Sequence, residues 1–259
     1  MCTLTLIQHR RARVITMNRD EHRGRSELNR LRQWNGACYP VDIPSNGTWV
    51  GANKSGLVLA LLNRYQDAEH YAELSHAPQS RGVIIPRLLA LSDQEDVVAE
   101  LKLWDFSIYS PFDLVISGPE RLFQWVWDGQ TSYLEEPSPG AFLRSSTSEH
   151  VQRALEFRCQ RFAQFVSGIE AENICCEKLA DRVLSEFHLG TQGTDPEIDA
   201  FMARAKTHTK SITQIVADEG TMALRYWPEP CLRRGRANTL EGPGSRAELN
   251  RNQPKVSAC

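Results

Sequence analysis

Alternating and continuous apolar runs divide the chain into elements. Thr3–Gln8 alternates and is β-branched, Arg13–Met17 is a second β-rich run, and the charged His9–Ala12 between them predicts a hairpin with Cys2 at its open end. Arg19–Arg32 is crowded with charge and reads as an exposed loop. Thr48–Ala52 and Leu57–Leu62 flank Asn53-Lys54-Ser55-Gly56, a turn composition with glycine available for positive φ, and predict a second hairpin. The unbroken apolar run of its second strand suits a central strand covered on both faces.

Gln66–Gln79 is polar and reads as loop, and Arg81–Leu91 reads as a helix ended or kinked by Pro86. Ser92 with Glu95 is a capping-box signature ahead of a helix over Asp93–Trp104, whose Val97, Val98, Leu101 and Trp104 share helical spacing. Four short β runs follow at Phe112–Ser117, Leu122–Trp127, Ser132–Leu134 and Ala141–Arg144. Glu149–Val166, Asn173–Phe187 and a shorter Asp195–Ala205 read as helices, and Thr209–Val216 with Thr221–Trp227 as closing strands. The pattern predicts an α+β fold with two stacked sheets between helical layers, built from residues 1–231. Residues 232–259, rich in Arg, Gly, Asn and Pro, read as a basic, disordered tail.

Composition narrows the function classes. With 259 residues and 41% apolar positions the chain can bury a core without staples. Its longest apolar run, Leu57–Leu62, is far short of the ~20 residues a membrane span needs, so a transmembrane protein is not expected. The net charge of −2 conceals a tail with six basic residues and two acids, which leaves the body acidic and argues against nucleic acid as partner. The seven cysteines form no CxxC pair, and the N-terminus lacks the order of a signal peptide, so free thiols in a reducing cytoplasm are the expectation. His9, His22, His70, His76, His150, His188 and His208 show no metal-ligand spacing, and no metal site is expected. Nothing in the pattern sets an oligomeric state.

One cysteine stands apart by position. Initiator methionine is usually removed ahead of a small residue, which would give Cys2 a free α-amine with a pKa of roughly 7.7–8.0, able to take the proton of its own thiol. The hairpin brings Arg19 and Asp20 beside the Cys2 end, where an arginine favours the thiolate and an aspartate orients an ammonium. Adjacent residues of a regular strand face opposite ways, so the two cannot share one side of it.

Met1-Cys2, Asn18-Arg19-Asp20-Glu21, Thr48-Trp49-Val50-Gly51 and the Gly56–Asn63 run resemble the NRDE family. Ser80-Arg81-Gly82, Pro111–Leu114, Ser145-Ser146-Thr147 and Arg225–Pro228 extend the resemblance over residues 1–231. It implies the four-layer αββα sandwich of N-terminal-nucleophile hydrolases. Within it Cys2 would be the nucleophile, Arg19 the cation beside the thiolate, Asp20 the holder of the α-amine, and Asn63 an oxyanion donor or polar anchor. Asn18, Glu21, Trp49, Ser145 and Ser146 are the pocket candidates; the serines stand where the hydrolases have asparagines, and their closing arginine has no clear counterpart.

The resemblance implies intracellular haem binding and trafficking, with lipid or acyl-CoA handling as a variant, and haem as carried ligand with no cofactor needed for catalysis. The alternative is a Cys2-dependent amidohydrolase or acyltransferase acting on a non-peptide amide. An adaptor that uses the acidic body and basic tail is the third.

Overall fold

A computed structural model describes residues 1–9, 12–65, 77–138, 140–169, 174–190, 195–218, 220–234 and 245–250. The expected loop over Gln66–Gln79, with His70 and His76, falls almost wholly outside these residues.

The first hairpin is β1 (Cys2–His9) with β2 (Ala12–His22), paired so that Cys2 faces Arg19 and Leu4 faces Met17 across the ladder. Strand β2 extends to His22, into the start of the Arg19–Arg32 segment that reads as an exposed loop. Arg19 and Asp20 are buried, because β11 (Thr207–Asp218) covers the far edge of β2 and draws its charged end into the sheet. Around this pair a six-stranded antiparallel sheet takes the order β10-β1-β2-β11-β12-β13, with β10 at Ala141–Ser146, β12 at Thr221–Trp227 and β13 at Ser245–Asn250.

The second sheet has seven strands in sequence order: β3 (Arg32–Trp34), β4 (Ala37–Tyr39), β5 (Val50–Asn53), β6 (Val58–Asn63), β7 (Phe112–Ser117), β8 (Leu122–Trp127) and β9 (Ser132–Glu135). Gly56, at φ 92°, makes the β5–β6 turn that its sequence predicts.

Period-2 alternation assigns each face. Leu4, Leu6, Ile15 and Met17 pack against Val50, Ala52, Val58, Ala60 and Leu62 between the sheets. The other faces take helices. Leu59, Leu61, Leu114 and Ile116 meet α1 (Ile84–Leu88) and α2 (Gln94–Leu101), while Ile7, Val14 and Val216 meet α3 (Val151–Ile169) and α4 (Cys176–Arg182). The result is the four-layer αββα sandwich.

Four local expectations change. Helix α2 is capped by Asp93, whose Oδ1 accepts from the Asp96 amide, rather than by Ser92. The helix expected at Asn173–Phe187 is shorter, and π-helical over Val183–His188. Asp195–Ala205 forms turns, because the carbonyls of Glu197, Ile198, Asp199 and Ala200 accept from the side chains of Arg204, Arg158 and Asn18 in place of a helix ladder. In the region expected to be disordered, Ser245–Asn250 joins the sheet edge as β13 with Ala247 and Leu249 turned into the core, and α5 (Glu229–Arg234) precedes it. That alternation is only two apolar positions long, too short to stand out in a polar stretch.

Between the first sheet and its helices lies a buried polar chain. His188 Nε2 is 2.7 Å from Thr5 Oγ1, and its Nδ1 is 2.8 Å from Asn18 Oδ1. Burial pushes the His188 pKa down to about 3. The unfolded chain therefore binds the extra proton below about pH 6.5, so this neutral histidine adds stability at pH 7 that is lost as pH falls towards 3. We expect the stability advantage of wild type over His188→Gln to shrink by about 2 kcal/mol between pH 7 and pH 5 in urea denaturation. A pH-independent difference would refute a buried neutral histidine.

Candidate active site

The cleft forms where the N-terminal end of β1 meets the start of β5 and the end of β6. It holds about 150 Å³ and is lined on one side by Met1, Cys2, Arg19, Asp20 and Glu21. The opposite wall comes from Trp49, Leu61 and Asn63, with Ser80, Arg81 and Gly82 at the rim. Gly47 lets the rim close in: a Cβ there would lie 2.4 Å from the Gly82 carbonyl carbon, and the Thr48 amide donates to the Gly82 carbonyl at 2.9 Å.

Cys2 sits between two partner strands, facing Arg19 on β2 and Ser146 on β10. Its backbone nitrogen donates to Ser146 Oγ at 3.2 Å, and its side chain belongs to the inter-sheet core. Burial pushes the Cys2 thiol up, while the chain's terminal ammonium and Arg19 pull the other way.

Arg19 shares the face of Cys2 and lies over the Trp49 ring, 4.4 Å from its centroid. Its guanidinium is fully engaged, with Nη1 3.0 Å from Glu27 Oε2 and Nη2 2.7 Å from Asp42 Oδ1. Arg25 closes on Asp42 with both Nε (2.7 Å) and Nη2 (2.8 Å). The Asp42 carboxyl is held below its ordinary range: burial raises it, but hydrogen bonds from Arg25 and Ser45 and the charge of Arg19 outweigh burial. Glu27 is raised, because its burial outweighs Arg19.

Asp20 points to the opposite side, as strand alternation requires. Its Oδ1 accepts from Thr209 Oγ1 at 2.6 Å, and its Oδ2 is buried with no hydrogen-bond partner among the described residues. Burial raises its carboxyl against the pull of Arg158, Thr209, the terminal ammonium and Arg204. Its backbone amide donates to the Met1 carbonyl at 2.9 Å, and the terminal ammonium donates back to the Asp20 carbonyl at 3.0 Å.

The remaining candidates divide. Glu21 lines the cleft 3.6 Å from Arg19. Asn63 reaches it from the end of β6, with Nδ2 donating to Tyr65 Oη at 2.9 Å. Asn18 faces the helices instead and donates to the carbonyls of His188 and Ala200 at 3.0 and 2.6 Å. Ser145 accepts from Arg158 Nη1 at 2.7 Å, so it anchors that arginine behind Cys2.

Two arginines escaped the sequence reading. Arg158 is the largest fully buried side chain, and its signal was present: it falls between Ala154 and Phe162 on the apolar stripe of α3. Arg204, 4% exposed, reaches the Met1 sulfur with Nη1 at 3.4 Å from a turn that carries no motif.

A family signature, Transport and Golgi organisation 2, matches residues 1–223. The chain belongs to that family. Among curated proteins none matches significantly. Among solved structures the chain is similar to an N-acylethanolamine-hydrolyzing acid amidase ortholog from Caenorhabditis elegans, at TM-score 0.57 and 12% identity, covering 83% of this chain and 92% of that one. A conjugated bile acid hydrolase from Clostridium perfringens aligns over 97% of both chains at 12% identity and TM-score 0.49. The likeness to the acid amidase ortholog shows that this chain has the N-terminal-nucleophile hydrolase fold, which the resemblance of the sequence implied. Among the described residues no group of His, Cys, Asp and Glu is arranged to hold a metal ion, and no helix is long and apolar enough to cross a membrane.

Removing the cation that joins two buried carboxylates leaves Glu27 without its ion-pair partner, while Asp42 keeps both bonds from Arg25. Arg19→Met should destabilise the fold by about 3 kcal/mol in urea denaturation, and adding Glu27→Gln should restore part of the loss. A cost under about 1 kcal/mol for the single change would show that the cluster is solvated.

Proposed function

We propose that this member of the Transport and Golgi organisation 2 family is a thiol amidohydrolase or acyltransferase whose nucleophile is Cys2 after loss of Met1. The observation that carries the reading is the pairing, at one strand end, of a cleft-facing thiol with a buried carboxylate oxygen, Asp20 Oδ2, that lacks a hydrogen-bond partner among the described residues. An α-ammonium at Cys2 would give that oxygen the charged donor it lacks, since an unpaired buried carboxylate is costly.

In this reading the Cys2 α-amine takes the thiol proton and Sγ attacks the amide carbonyl. Asn63 Nδ2 turns from Tyr65 to the developing oxyanion, and the ammonium protonates the leaving amine as the C–N bond breaks. Water or an acyl-accepting nucleophile then attacks the Cys2 thioester and frees Sγ. Arg158 and Asp20 hold the strand end in place rather than touch substrate. A cleft of about 150 Å³, below the ~300–1,000 Å³ of sites that enclose drug-sized ligands, suits a small polar head group. Free cysteines suit a reducing compartment, and the cytoplasm is the one we assign.

Haem as a carried ligand is the second reading. Cys2 and Arg81 line the cleft, where a thiolate and one propionate partner would meet haem at its mouth, while Arg19 and Arg25 are already bonded to Glu27 and Asp42.

Intact mass should show a chain lacking Met1, and Cys2→Ala should lose at least about 10³-fold in turnover of an N-acyl amide panel. Undiminished activity in Cys2→Ala, or a chain that keeps Met1, sinks the hydrolase. For the haem reading, titration should give a saturable Soret shift that Cys2→Ala alters; no shift dismisses it.

A further inference from the structure

The Met1 side chain lies in a cradle of hydrogen-bond donors. Ser148 Oγ, the Ser148 amide, Arg204 Nη1 and Thr147 Oγ1 lie 3.2, 3.3, 3.4 and 3.8 Å from its sulfur. A thioether is a weak acceptor, and a guanidinium facing one gains little. The rest of Arg204 is well used: Nε and Nη2 donate to the Glu197 carbonyl, and Nη2 also to Thr147 Oγ1 and the Glu149 carbonyl. Those bonds tie two turns together without Nη1, which is left for the sulfur. Among the described residues Arg204 makes no ion pair with a carboxylate, although it is 4% exposed. A buried cation so placed favours an anion.

We propose that this cradle is an anion subsite, and that the amide accepted at Cys2 carries a carboxylate or sulfonate that the cradle holds once Met1 is gone. The inference rests on the amidohydrolase reading and names its substrate class. One oxygen of the anion takes Arg204 Nη1 and the other takes the Ser148 amide and hydroxyl, charge-assisted bonds that a thioether cannot make. The subsite lies at the same strand end as the reacting thiol. Met1 precedes Cys2 and lines the cleft with it, while the Met1 side chain turns to Arg204 on the helical face. A bound amide would therefore reach the cradle around the freed end of β1. Ser148 is exposed, so the cradle also opens to solvent. The charges agree: Arg158, Arg204 and the chain's terminal ammonium all act on Asp20, and with Asp199 the other carboxylate acting on Arg158 the cations still outnumber the carboxylates.

The test separates binding from turnover. Cys2→Ala protein, shown by intact mass to lack Met1, is titrated calorimetrically with N-acetylglycine, N-acetyltaurine and neutral N-acetylglycinamide. Both anions should bind at least about tenfold more tightly than the neutral amide. Arg204→Met should erase the preference; should that variant not fold, Ser148→Ala, at an exposed position, should weaken the anions several-fold and leave the neutral amide unchanged. The same chain made with methionine aminopeptidase inhibited, and so retaining Met1, should show no preference. Equal binding of all three probes, a preference that survives with Met1 present, or a mature chain that keeps Met1 overturns the subsite. Anion preference without turnover by wild type would remove the hydrolase and support the subsite; turnover of N-acyl amides without anion preference would do the reverse.

Discussion

The β1–β2 register is the constraint on which the rest of the site depends. With Cys2 opposite Arg19, the period of the strand places Ile15, Met17 and Arg19 between the sheets and Asn18 and Asp20 against the helices. A slip of one residue would exchange these sets, driving two polar side chains into an apolar core and exposing Met17 to the polar chain around His188. Three neighbours hold the register. Strand β10 pairs with Cys2 from one side and β11 with β2 from the other, and Asn18 bonds His188 and Ala200 beneath.

The two faces of that strand end are electrostatically unlike. On the inner face Arg19 is bonded to Glu27 and Asp42 and lies over Trp49, so its role is to organise the cleft wall. On the helical face Arg158 and Arg204 act on Asp20, and Asp199 also acts on Arg158. The sulfur and hydroxyl that the two arginines meet carry no charge to balance them. Saturated ion clusters give rigidity; unsaturated ones leave interaction energy available to a ligand or a new terminus. The chemistry of the site is therefore read from the helical face as much as from the cleft.

The hairpins, the layer order and the position of Cys2 were legible because they rest on local signals: period-2 runs, a glycine turn at Gly56, and one residue number. What was not legible is non-local. Arg19–Arg32 reads as solvated loop because its charges find partners, Glu27 and Asp42 among them, only once β11 packs against β2. Asp195–Ala205 has helical composition, yet its carbonyls are claimed by Arg158, Arg204 and Asn18, residues up to 182 positions away in sequence. Local propensity yields to such contacts. Arg158 is the exception, since a charge on an apolar helical stripe marks a buried partner on local grounds alone.

A chain end inside a sheet is unusual, because termini ordinarily lie at the surface where the ammonium is solvated. Here Met1 is 8% exposed, and its ammonium meets a backbone carbonyl rather than a carboxylate. Moving the terminus by one residue would bring the positive charge to the nitrogen that now donates to Ser146, on the strand that also carries the cleft thiol. The same step would empty the cradle of Arg204 and Ser148. One covalent change then supplies a base to the thiol, a partner for Asp20 and room for an anion, while the strand register that positions all three stays as it is. That coincidence, and not the cysteine alone, is the physical argument for chemistry at this end of the molecule.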